Sequence, residues 1–121
     1  MRDHFSQPNE TLSRKILSPV PFGERMPAGR LKPPVGILAG DVRSLMELHQ
    51  FLAPDVASLP GISLKALTKW IEVSIGDKEL AESVRKIVDT GIHYVEGCLK
   101  VYEMVGYRLD QARKTLEEAM S

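Results

Sequence analysis

The chain has no proline beyond Pro60, a single cysteine (Cys98), and no excess charge of either sign. One cysteine excludes an intrachain disulfide and any zinc site built on several thiolates of one chain. It also suits a reducing compartment better than secretion. No apolar run approaches the roughly 18 residues needed to span a bilayer, and the first residues lack the uninterrupted apolar core of a secretory signal. The expected location is therefore cytoplasmic, without a membrane partner. The 16 basic side chains balance 16 acidic ones, so no overall field draws the chain to nucleic acid or anionic lipid.

What is present is divided unevenly. All eight prolines fall in the first half, and the last forty-odd residues read as one helical pattern. This separates an extended arm over residues 1–40 from a helical body over 41–121. In the arm, Pro8, Pro19, Pro21, Pro27, Pro33 and Pro34 each remove a backbone donor and push the preceding residue toward extended conformations. One short amphipathic turn fits Glu10–Leu17, and the rest is expected to be extended or polyproline-like. The arm is nonetheless more apolar than a solvated linker, with Phe5, Phe22, Leu31 and Ile37 spread along it. Residues 1–32 hold six basic side chains (Arg2, Arg14, Lys15, Arg25, Arg30, Lys32) against Asp3, Glu10 and Glu24.

In the body, Asp41 after Gly40 is a candidate N-cap for a helix running to about Leu52. A second helix fits Ser63–Ile75, with Gly76 as its C′ residue and Asp77 as the next N-cap. From Leu80, apolar or small residues recur at Val84, Ile87, Gly91, Val95, Cys98, Tyr102, Val105, Leu109 and Ala112, a heptad seam with one stutter. A continuous helix of about forty residues would reach roughly 60 Å. The competing arrangement is a hairpin broken near Thr90–Gly91, since glycine weakens a helix. Continuity is the favoured expectation. Between Ile92 and Tyr107 a second apolar face appears, leaving Glu96, Lys100 and Glu103 on one narrow polar stripe. Two short upstream helices cannot cover so much of a long helix, so a second copy or another protein is expected to bury the remainder.

Catalytic and metal chemistry are weakly supported. His93 and Glu96 stand three residues apart, but a helical di-metal centre repeats Glu-x-x-His twice, and this chain has the reverse order once. Cys98 falls in the most apolar stretch, where a thiol is a small hydrophobe of raised pKa rather than a nucleophile. Tyr94, Tyr102, Tyr107 and Trp70 fit core packing better than a stacking platform. No cofactor is implied.

The sequence thus predicts an all-α fold: an extended Pro-rich arm, two short helices and a long C-terminal helix, or helical hairpin, completing a bundle with a partner chain. The expected function is a non-catalytic structural or accessory subunit of a prokaryotic complex. Val95, Cys98, Leu99, Tyr102, Val105 and Leu109 would form the assembling face, and Phe5, Phe22, Leu31 and Ile37 would clamp a neighbour. The partner is itself, as a homo-oligomer, or a larger protein complex. The alternatives are a dimeric nucleic-acid-binding regulator using the basic arm, and a small helical-bundle enzyme or ligand binder.

Overall fold

The computed structural model describes residues 5–55 and 58–120; Arg2 and Asp3 of the arm lie outside them. The chain is not all-α. Among the described residues five α-helices are joined by five short strands: α1 (Glu10–Leu17), β1 (Met26–Pro27), β2 (Gly29–Lys32), β3 (Gly36–Leu38), β4 (Asp41–Val42), α2 (Leu45–Leu52), β5 (Leu59–Gly61), α3 (Leu64–Trp70), α4 (Lys78–Asp89) and α5 (Tyr94–Met120).

The strands arise where the sequence promised an extended arm. β1 pairs antiparallel with β4, and β2 with β3. The partners keep one register throughout: Met26 faces Val42, Arg30 faces Leu38, Lys32 faces Gly36. Between these pairs the Ala28 N–H donates to the Gly40 carbonyl at 3.0 Å. The two small sheets are therefore segments of one hairpin from Met26 to Val42, closed by the turn Lys32–Val35 and by Gly36 at φ 104°. β5 adds to the other side of β2, with Gly61 opposite Gly29 and Leu59 opposite Leu31. Prolines do not prevent this, because a strand needs its N–H groups only at alternate residues. Pro27 and Pro60 both fall where the nitrogen points off the ladder.

The helices correct two further expectations. Asp41 starts no helix; it lies in β4, and α2 is capped by Ser44, whose Oγ accepts from the Glu47 N–H. The long helix is not continuous. Gly91 adopts φ 72°, a left-handed conformation that only glycine takes without strain. It ends α4 and lets α5 fold back as a hairpin. Gly76 and Asp77 do take the end positions legible in the sequence, while Ser63, expected as the first residue of its helix, is the N-cap of α3.

The cover for α5 comes from within the chain. Val101, Met104, Val105, Leu109 and Ala112 are buried in a core shared with Phe5 and Ile16 of the arm, Leu45, Leu48 and Leu52 of α2, and Leu80 and Val84 of α4. Gly106 leaves room for the His49 ring of α2: a Cβ there would stand 2.8 Å from His49 Nε2. Much of the face expected to await a partner is covered instead by the arm, which supplies a helix, α1, capped by Asn9 and laid along α5, while Val95 and Leu99 stay exposed.

At the centre lies an ion pair. Arg108 and Asp77 have side chains only 1% exposed, with Nε 2.7 Å from Oδ2 and Nη2 3.2 Å from Oδ1. Arg108 Nη1 also donates to the Ser6 carbonyl at 2.7 Å and to Gln111 Oε1 at 2.9 Å. Asp77 Oδ1 caps α4 by accepting from the Leu80 N–H at 3.1 Å. Removing one partner strands the other charge in the interior. Arg108→Met is therefore expected to lower the unfolding free energy by about 3–5 kcal/mol in urea titration. Glu103→Lys, on the exposed stripe, should change it by less than about 0.5 kcal/mol.

Candidate binding cleft

Side chains on the hairpin alternate between two faces. Met26, Ala28 and Val42 enter the core. Pro27, Gly29, Leu31, Ile37 and Ala39 point the other way and line an open cleft of about 1120 Å³. The register builds this wall in rows. Leu59, Leu31 and Ile37 lie side by side across β5, β2 and β3, while Gly61, Gly29 and Ala39 form a row of small residues next to them. The opposite wall is one face of α3 and the π-type turn that prolongs it: Ala66, Lys69, Trp70 and Val73. Trp70 is held in place by its indole N–H, which donates to the Glu24 carbonyl at 2.6 Å.

Polar groups mark the ends. Arg25 is paired with Asp41 at 3.4 Å, its guanidinium 3.6 Å from the Phe22 ring centroid. Lys69 is exposed and makes no ion pair among the described residues. Tyr94, at the first turn of α5, closes the β5 side. Its hydroxyl donates to the Pro60 carbonyl at 2.6 Å and accepts from the Ile62 N–H at 2.8 Å. Burial pushes the Tyr94 phenol above its usual pKa, and pushes the neighbouring Cys98 thiol up in the same way.

The residues expected to meet partners fall into two groups. Cys98, Val105, Leu109 and Phe5 are buried in the chain's own core, and Tyr102 is half-buried there. Val95, Leu99, Phe22, Leu31 and Ile37 are exposed, Ile37 by 75% and Phe22 by 67%. Of these, Leu31 and Ile37 stand together in the cleft wall. Leu59, Val73 and Lys69 complete it, and sequence reading did not single them out. The spacing of Ala66, Trp70 and Val73 was the available signal. His93 precedes α5 and Glu96 lies in its first turn; both are exposed, and among the described residues no three of His, Cys, Asp and Glu converge on a metal site. No described helix is long and apolar enough to cross a membrane.

Three of the arm's cations, Arg14, Arg25 and Arg30, are engaged within the chain. Arg14 pairs with Glu10 at 3.2 Å. Arg30 donates to Ser58 Oγ at 2.9 Å and to the Phe51 carbonyl. Comparison with known proteins finds no matching family model, no matching curated protein and no matching solved structure.

Two measurements probe this region. Tyr94→Phe removes the hydroxyl that serves Pro60 and Ile62, and is expected to cost about 1 kcal/mol. The Ile62 amide should then exchange faster with solvent, as read by hydrogen exchange. On the other side of α5, the His49 ring stacks on Tyr102 at 4.3 Å. Burial holds its pKa below the ordinary 6.5, Arg113 adds to this, and Asp110 opposes it. The unfolded chain thus takes up the proton first as pH falls, so this contribution is lost below about pH 6.5. The urea midpoint should drop between about pH 7.5 and about pH 5.5, and His49→Phe should flatten that slope.

Proposed function

We propose that this chain is a non-catalytic accessory module that holds another protein in the cleft between its β-hairpin and α3. One observation carries the reading: Leu31, Ile37, Leu59 and Val73, exposed by 40%, 75%, 42% and 66%, converge on a single apolar depression instead of being scattered. Contiguous exposed apolar surface of this kind marks interaction sites. Leu31 and Ile37 belong to the arm, so this reading keeps a clamping role for that segment. It acts as a folded hairpin wall and not as a loose strap. Assembly through the C-terminal helix has less surface at its disposal, since Cys98, Val105 and Leu109 are spent on the core.

The nucleic-acid regulator is the weaker reading. Arg14, Arg25 and Arg30 bond to groups of their own chain, which leaves the arm fewer cations to offer phosphates.

Leu31→Asp and Val73→Asp each alter an exposed side chain and should leave the unfolding midpoint unchanged. Each is expected to abolish capture of the natural partner by the full chain, including at about 500 mM salt, where apolar contact persists and surface charge is screened. Capture that survives in both variants, or that disappears with salt in the wild type, overturns the proposal.

A further inference from the structure

The protein-binding reading leaves open the form of the bound segment, and the inference that follows rests on that reading. The sheet has two edges, and the chain treats them differently. On the β5 edge, the groups directed away from β2 belong to Pro60, which has no N–H, and to Ile62. The Tyr94 hydroxyl satisfies the carbonyl of the first and the N–H of the second. That edge is closed.

The β3 edge is not. The bond from Ala28 N–H to Gly40 O sets the parity of the hairpin. Alternation then directs the N–H and C=O of Ile37 and Ala39 away from β2. Both residues are exposed, and no described residue bonds those groups. Folded proteins blunt an open edge with proline, lysine, a bulge or a covering element. Here the edge reads Gly36–Ile37–Leu38–Ala39, with none of these. The side chains of Ile37 and Ala39 lie on the cleft face, so a strand laid against β3 would send alternate side chains into the cleft toward Val73. On that wall Lys69 stands without an ion pair among the described residues, whereas Arg25 is engaged by Asp41.

We propose that β3 receives an extended segment of a partner protein as an added strand, apolar at alternate positions and carrying a carboxylate for Lys69. Main-chain bonds to Ile37 and Ala39 supply affinity, and the cleft reads every second side chain. An amphipathic helix could fill the cleft, but it would leave the edge groups of β3 without strand partners.

The test is selection of short linear peptides from a random display library on the full chain, followed by affinity measurement on synthetic versions. Enriched sequences are expected to place apolar residues two apart, with one Asp or Glu. N-methylation at the peptide positions that pair with β3 should weaken binding at least about tenfold, while methylation at the intervening positions should not. Ile37→Pro removes an outward N–H and no ladder bond, and should weaken binding to a similar degree. Leu38→Ser, on the opposite face, should leave it within about twofold. Lys69→Glu should weaken the acidic peptide and strengthen its Lys-bearing counterpart. Apolar spacing of three and four residues would establish a helical occupant and overturn the proposal. So would binding indifferent to Ile37→Pro and to the methylation pattern. If no peptide is enriched but cleft-dependent capture of the natural partner stands, strand addition fails and the protein-binding reading remains. If both are absent, both fail.

Discussion

Arg108 and Asp77 meet where neither can reach water, and three parts of the chain are arranged around that fact. Two buried charges are costly to desolvate, and the cost is offset only when geometry and further hydrogen bonds are good. Here the guanidinium faces both carboxylate oxygens, and its remaining donor reaches Ser6 and Gln111. The carboxylate in turn starts α4. The α4–α5 hairpin is thereby fastened at both ends, by the covalent turn at Gly91 and by the ion pair at the other extremity. The same contact recruits the N-terminal segment. Ser6 donates its N–H to Glu79, Gln111 reaches the Phe5 carbonyl, and Thr115 reaches that of Pro8. The arm is thus tied down by polar bonds as well as by the burial of Phe5 and Ile16.

That anchoring frees the rest of the arm to build the cleft. Because the hairpin keeps one register over its whole length, its two faces are cleanly separated. Met26, Ala28 and Val42 share the core with α2, and the residues between them face outward. A slip of one residue would exchange the faces, moving Leu31 inward and Arg30 out of reach of Ser58 and Phe51. Core packing and cleft lining are therefore two consequences of the same register. Trp70, fixed by its bond to Glu24, links the opposite wall to the segment that leads into β1.

Features decided within a few residues were legible in the sequence. Gly76 and Asp77 terminate or satisfy backbone bonds of their own turns, so their positions follow from local chemistry. The break at Gly91 hung between propensity and periodicity: the heptad pattern ran through it, and tertiary packing decided for the turn. The hairpin was hidden because six prolines in forty residues argue against strands on average, while parity decides each case individually. Arg108 was hidden for another reason. Its partner stands 31 positions away, and nothing in a helical polar residue announces that a carboxylate will be brought to it. Of the cleft, Leu31 and Ile37 could be picked out as apolar residues in a polar neighbourhood. Lys69 and Val73 could not, since their significance comes from facing a sheet the sequence did not reveal.

The Tyr94 hydroxyl gives the sheet a handed economy of growth. A sheet open at both edges is a template for endless addition, the geometry of fibres. With Pro60 and Ile62 already served, this one can lengthen on a single side. Were β3 to pair with β3 of a second copy, the joined sheet would end on both flanks at a tyrosine-sealed strand. Such pairing through backbone groups would close at two copies, and one phenol oxygen would set the limit.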